Sequence, residues 1–309
     1  MSQEVEPAPP PRESLHDWLT APAAASLGQA RAQQAYLATR RFVANPTALA
    51  GLVCILLLIV VAALAPVLAT HDPLAQNIQN RLQPMSGAHW FGTDELGRDI
   101  YSRIVYGSRT TLLIVALVAA IAAPLGLVLG TVSGYLGGLV DLALMRVTDL
   151  FLAFPSLILA LAFVAALGPG LENAIIAIAL TAWPPIARLA RAETLIVRKA
   201  DYVSAARMQG AFWIRIVVTN IMPMCIPSVV VRITLNMAGI ILAAAGLGFL
   251  GLGAQPPIPE WGAMLSGGRQ YILEHWWLCI FPGLAIVIVS LAFNLFGDGL
   301  RDVLDPRSD

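Results

Sequence analysis

Long uncharged apolar windows alternate along the chain with short polar intervals, and the windows have the length of membrane crossings. A hydrocarbon layer of about 30 Å needs roughly 20 apolar residues in helical form. Ala48 to Ala69, Thr110 to Tyr135, and Leu150 to Leu171 with a start near Leu142 meet that requirement. A shorter fourth window, Asn173 to Ala187, contains Trp183-Pro184-Pro185. Proline lacks the backbone donor and clashes with the preceding turn, so this helix is predicted to end or kink there. Pro227 to Leu250, with Arg232 near its start, and Trp276 to Gly297 complete the set. The pattern predicts an all-α integral membrane protein with six transmembrane helices. It divides the chain into a tail over 1–47, a first transmembrane helix over 48–70, a polar segment over 71–108, a five-helix core over 109–298 interrupted by a loop at 191–223, and a tail over 299–309.

Composition agrees with this division. Hydrophobic residues make up 58% of the chain and charged ones 12%, with a mean hydropathy of +0.74, against about 25% charged residues in soluble domains. A soluble globular protein is excluded. The 19 Lys and Arg cancel the 19 Asp and Glu, which removes the case for a nucleic-acid binder. Charge is informative only by position. Six spans put both termini on one side, and the polar stretches on that side hold Arg12, Arg31, Arg40, Arg41, Arg188, Arg191, Arg198, Lys199, Arg207, Arg215, Arg301 and Arg307. The other side holds Arg81, Arg98, Arg103 and Arg269, with Arg109 at the edge. Basic residues concentrate on cytoplasmic loops, so both termini are expected in the cytoplasm and 71–108 in the periplasm. The polar, Pro/Ala-rich start lacks the layout of a cleaved signal peptide. Residues 27–42 read either as an interfacial elbow helix or as a disordered tail ending in the Arg40-Arg41 pair.

The chemistry that would make such a chain an enzyme is missing. It has no HExxH, GxSG or GxGD signature, and Lys199, the sole lysine, follows Ile196-Val197-Arg198, so no phosphate-binding GxxxxGK[ST] loop can be built. Any ATP must be bound by another chain. Cys54, Cys225 and Cys279 sit in apolar stretches and make neither a disulfide framework nor a Cys/His metal spacing. The His89–Asp99 block alternates glycines with acids, but its spacing fits no EF-hand, and no metal site is expected. The spans hold only Arg146, Asp149 and Arg232 as charges. Arg146 and Asp149, three apart, share a helix face and are expected to pair locally. Arg232 reads as a side chain snorkelling to the interface or as a pore-lining or gating residue. An ion-coupled secondary carrier is the alternative function, disfavoured by the lack of midplane carboxylates.

The loop at 191–223 carries Asp201-Tyr202-Val203-Ser204-Ala205-Ala206-Arg207-Met208-Gln209-Gly210 and then Ile221-Met222-Pro223. Ala205 and Ala206 favour a helix with little bulk, Gly210 suits the left-handed residue that ends it, and Pro223 can start the next. A short surface helix follows. It is either an ordinary membrane-surface element or a docking element for another protein.

The segment resembles the EAA loop of ABC importer permeases, whose pattern is Glu-Ala-Ala-x-x-x-Gly with Ile-Leu-Pro further on. Ala205, Ala206, Gly210, Ile221 and Pro223 match; Ser204 stands in place of the family's frequent Glu, Met222 in place of Leu, and Asn220 in place of a frequent His. Asp201 or Glu193 could supply the missing charge. Further blocks, His89-Trp90-Phe91-Gly92-Thr93-Asp94-Glu95-Leu96-Gly97-Arg98-Asp99, Gly134-Tyr135-Leu136-Gly137-Gly138, the stretch from Phe249 to Pro257, Glu260-Trp261-Gly262 and the stretch from Asn294 to Asp302, are similar to the C-type permease of dipeptide, oligopeptide and nickel importers. Glu274-His275-Trp276-Trp277 looks most like D,D-dipeptide permeases. The resemblance implies a type I ABC importer permease fold in the bacterial inner membrane and no catalysis on this chain. It also implies a second homologous permease subunit, a solute-binding protein outside, a peptide cargo, and two cytoplasmic ATPase subunits carrying ATP and Mg. Asp201, Ser204, Ala205, Ala206, Gly210, Ile221 and Pro223 would couple to the ATPase.

Overall fold

The computed structural model describes residues 15–20 and 26–304. Arg12 and Arg307, both counted in the charge asymmetry, lie outside the described residues, as do the other outermost residues of both tails. Helices α1 (Leu15–Thr20) and α2 (Leu27–Ala44) come first, and Ser26 Oγ caps α2 by accepting the Gln29 amide at 3.2 Å. Of the two readings left open for residues 27–42, the chain is helical there. Helix α3 (Pro46–Ala63) starts with proline at its first position, and Asn45 Oδ1 accepts the Thr47 and Ala48 amides. A short α4 (Ala65–Leu68) leads into an irregular segment and then α5 (Ile100–Leu136), α6 (Gly138–Leu152), α7 (Ser156–Leu167) and α8 (Leu171–Val197). The remainder is α9 (Asp201–Met208), α10 (Trp213–Ile216), α11 (Met222–Phe249), α12 (Trp261–Gly268) and α13 (Trp277–Leu304). A single π turn over Val217–Ile221 joins α10 to α11, so that Trp213–Phe249 is one run of 37 residues. No strand is formed among the described residues.

Five of these helical runs are long and apolar enough to cross a membrane. A sixth candidate is bent: α6 and α7 pass the same test only together and meet at 94° across Ala153-Phe154-Pro155, as a broken span or a re-entrant loop would. Instead of one straight helix from Leu142 to Leu171, Pro155 interrupts the third window, since proline cannot continue the ladder and drives the residue before it out of the helical region. Their outer ends are held at different places in the bundle. Asp141 at the start of α6 pairs with Arg191 near the end of α8, while beyond α7 the Gly170 amide donates to the Leu252 carbonyl at the opposite end.

The fourth window does not end at its prolines. Helix α8 runs unbroken through Pro184 and Pro185 to Val197. What holds it is its contact with α5, the most extensive in the molecule. Gly126, Gly130 and Gly134 line up four apart on α5, and a Cβ added at these positions would lie 2.7 Å from Ile186 Cβ, 2.3 Å from the Ala187 oxygen and 2.8 Å from Thr194 Cβ. The backbones meet where side chains would otherwise keep them apart, as small residues at four-residue spacing permit. The main core spreads from this contact through Val118, Ile178, Trp183, Ile241, Leu247 and Phe293. Near the end of α11, the glycines do two jobs: Gly248 and Gly253 pack against each other at 2.8 Å from a would-be Cβ, and Gly251 turns the chain at φ +76°.

Candidate functional site

Helix α9 stands at one end of the bundle, held from below. Val203, fully buried, packs with Ile216, Val217, Ile221 and Cys225, and Tyr135, Ala206 and Ala211 close the edge of this small core. The helix ends in a Schellman arrangement. The Gly210 amide donates to the Arg207 carbonyl and the Ala211 amide to the Ala206 carbonyl, with Gly210 at φ +78°. Ala206 and Ala211, which bracket that closure, both face the Val203 core. Arg207 reaches back to α5: its guanidinium lies 5.5 Å from the Tyr135 ring centre, and Nη2 donates to the Tyr135 hydroxyl at 3.4 Å. Arg198, just past α8, donates to the Gly134 carbonyl at 2.8 Å.

The seven residues singled out in this loop therefore split. Asp201, Ser204, Gly210 and Pro223 are exposed, Ala205 and Ala206 are half-buried, and Ile221 is fully buried under the loop. The alanines let α9 lie close to its own bundle; the outward face is made by Tyr202, Met208 at 83% exposure and Phe212 at 65%. Those three large side chains escaped the sequence reading, which followed the small residues. They stand out as uncovered only once Val203 is seen to fill the core beneath them. Pro223 sits at the second position of α11, where a missing N–H costs nothing, and the π turn before it lets the Met222 amide reach Val217.

Charged groups brace the same end. Arg191 donates two hydrogen bonds of 2.6 Å to Asp141, which also accepts from Ser133 Oγ. Asp149 pairs with Arg188 at 2.6 Å rather than with Arg146, because α6 lies along α8 and offers a partner on the neighbouring helix. Both members of that pair are about half exposed, so the contact is worth little. Glu193 accepts from Ser228 Oγ at 3.0 Å, joining α8 to α11. Arg232 is exposed and makes no ion pair among the described residues; it lies one turn beyond Ser228, about 6 Å further along α11.

The opposite end is organised around the His89–Asp99 block. Asp94 Oδ1 accepts the Leu96 and Arg98 amides at 2.9 Å, and Asp94 Oδ2 accepts from Arg98 Nε at 2.6 Å. Phe91 stacks on Phe281 at 4.1 Å, and Trp261 Nε1 donates to the Ile104 carbonyl at 3.1 Å. Glu260 caps α12 by accepting the Gly262 and Ala263 amides at 2.8 Å each. Burial pushes its carboxyl up to about 6, against the pull of those two amides.

Comparison with known proteins places this geometry. Residues 126–309 match the family described as binding-protein-dependent transport system inner membrane component, and residues 34–84 match the N-terminal TM domain of oligopeptide transport permease C. The chain is 47% identical over 264 residues to the probable D,D-dipeptide transport system permease protein of Escherichia coli, covering 85% of this chain and 89% of that one. It is also 47% identical over 272 residues to the dipeptide transport system permease protein of the same organism, covering 86% and 91%. With the di/tripeptide transport system permease protein of Pseudomonas aeruginosa it shares 44% over 272 residues, covering 86% and 90%. The fold is similar to that of the MetNI methionine ABC transporter solved in inward-facing conformations, with TM-score 0.51 and 21% identity, covering 66% of this chain and 97% of that one.

Proposed function

The chain belongs to the family of inner-membrane components of binding-protein-dependent transport systems, and we propose that it forms one half of a heterodimeric pore through which dipeptides or short oligopeptides enter the cell. D,D-dipeptides are included in that cargo class, since a relative of that name aligns over most of both chains. The chain is a multi-pass membrane permease subunit. Its relatives give no support to an ion-coupled carrier.

In this reading the α9 end faces the cytoplasm with both tails, 1–47 and 299–309, and the 71–108 segment faces the periplasm and a solute-binding protein. A second permease completes the pore, and two ATPase subunits, which carry ATP and Mg, dock at the α9 end. The observation that carries the docking assignment is α9 itself. It is a short helix closed by Gly210 and seated on a small core of its own, with Tyr202 and Met208 exposed on it and Phe212 exposed just beyond its end. Two states of the pore, biased by closure of the ATPases, would be read through this helix. Arg232 snorkels to the polar level marked by Glu193 and Ser228.

The experiment is peptide uptake and ATPase co-purification with Gly210→Pro, Ala205→Glu and Met208→Glu. Proline locks φ near −65° and lacks the amide that closes α9, whereas Met208→Glu changes only the exposed face. All three are expected to insert in the membrane and to lose uptake or ATPase retention. Wild-type uptake by all three would overturn the assignment.

A further inference from the structure

The segment between α4 and α5 folds back to bring His71, His89 and Asp99 together at the end opposite α9. Asp99 caps α5: its Oδ2 accepts the Ser102 amide at 2.8 Å, and the Thr70 hydroxyl lies 3.5 Å from the same oxygen. Its side chain is 1% exposed, and no Arg or Lys pairs with it among the described residues. The other oxygen, Oδ1, faces two imidazoles. His89 Nδ1 is 2.9 Å from it and His71 Nδ1 is 3.7 Å.

The backbone of each histidine is anchored beside the carboxylate. The His71 amide donates to Ser102 Oγ at 3.0 Å, and Thr70 Oγ lies 3.0 Å from His71 Nδ1, a contact that an ion at Nδ1 would replace. The His89 amide donates to Ser86 Oγ at 3.1 Å while its carbonyl accepts the Ser86 and Gly92 amides. The rings lie 4.6 Å apart centre to centre. They border a cavity of about 330 Å³ shared with Asp72, Asn77, Asn80 and Asp99, and His71 is the solvent-facing member at 41% exposure.

We propose that His71, His89 and Asp99 bind one divalent first-row transition ion of the Zn²⁺ type. Metal–nitrogen and metal–oxygen bonds of about 2.0–2.2 Å place neighbouring ligand atoms roughly 3.0–3.5 Å apart; the two separations from Asp99 Oδ1 bracket that range, and all three ligand atoms lie within 4.8 Å of one another, so the rings would draw in around the ion. Two imidazoles with one carboxylate suit Zn²⁺ and its neighbours, while Ca²⁺ and Mg²⁺ call for oxygen shells. The ion would neutralise the buried carboxylate and let two close imidazoles remain uncharged. Three protein ligands leave a coordination position open toward the cavity for water or a small donor group. The ion would also tie the start of the 69–99 segment and its 86–92 turn to the first turn of α5. No spacing motif announces such a site, since the ligands are 18 and 10 residues apart in the chain.

The test uses the assembled complex, purified with a tag that contains no histidine and stripped with a chelator, then titrated with Zn²⁺ at pH 7.5 by calorimetry. One site per chain is expected, weakened at least tenfold by His71→Gln, by His89→Gln and by Asp99→Asn, the last of which keeps an N-cap acceptor. X-ray absorption of the loaded protein should show nitrogen and oxygen neighbours. Absence of Zn²⁺ binding, wild-type affinity in all three variants, or sulfur ligands from the cysteines would each overturn the proposal. The metal-free His71→Gln protein should melt with the metal-free wild type, because the ring is half in solvent. A matching melt together with lost Zn²⁺ binding supports a ligand role, and a lowered melt that accounts for the lost binding overturns it.

Discussion

Gly130→Leu should separate α5 from α8, and even Gly130→Ala should be felt. A Cβ at this position would lie 2.3 Å from the Ala187 carbonyl oxygen, 2.7 Å from Ala190 Cβ and 3.0 Å from the Arg191 amide nitrogen, whereas ordinary contact begins near 3.4 Å. Two of these three neighbours are backbone, so no side chain can swing away. The helices must move apart by about 1 Å, and overpacking of this kind costs about 1–3 kcal/mol for a methyl group and more for a larger one. The displacement also reaches the cytoplasm-facing end proposed for docking, because Arg191 holds Asp141 and Arg198 holds the Gly134 carbonyl. The assay is thermal unfolding of the complex in nanodiscs alongside peptide uptake. Gly246→Ala is the control, since there a Cβ would meet only Leu157 side-chain atoms at 3.6 and 3.8 Å. The expected order is Gly246→Ala like wild type, Gly130→Ala lowered, Gly130→Leu lowered further with uptake impaired. A Gly130→Leu protein with wild-type melting and uptake would refute the packing argument.

Two further outcomes are expected. Glu260 holds its proton more tightly when folded than when unfolded, because burial raises its value from 4.5 to about 6. Stability should therefore fall as pH rises between those values, by about 2 kcal/mol in full. Glu260→Gln should remove that slope from the unfolding midpoint measured between pH 4 and pH 7, and an unchanged slope counts against the assignment. Arg232→Met should assemble normally and alter uptake less than about twofold, as a side chain snorkelling to the interface would. A large loss of uptake in an intact complex would instead assign Arg232 to the pore.

Local rules made α9 legible before its surroundings were known. Gly210 after a run of helix formers signals a left-handed stop, and the chain stops there with the two hydrogen bonds that such a stop requires. The same holds for Ser26 and Asn45, whose side chains cap the helices that follow them. What the pattern of residues could not convey was which apolar side chains would be left uncovered. Tyr202, Met208 and Phe212 look like any other apolar positions until Val203 is known to fill the core beneath them. Nor could spacing bring His71 to Asp99, since their meeting depends on how the 69–99 segment folds back on α5.

The prolines show why local rules decide some positions and not others. Pro155 breaks the third window and Pro184-Pro185 do not break the fourth, although by type each would interrupt a helix. The residues around Phe154-Pro155 are exposed on the bundle surface, so nothing opposes the turn that proline prefers. Pro184 is buried, with Trp183 and Ile186 beside it pressed against the Gly126 step of α5. Ending α8 there would open that contact and expose the Ala187, Ala190 and Thr194 positions that lie against Gly130 and Gly134. The energy of a lost ladder bond, about 3 kcal/mol for an interior proline, is set against several fully buried side chains at about 1.5–3 kcal/mol each for the larger ones. Tertiary packing prevails where the neighbouring helix supplies glycines at four-residue spacing. The motif that keeps α8 whole is therefore written in α5, some sixty residues earlier in the chain.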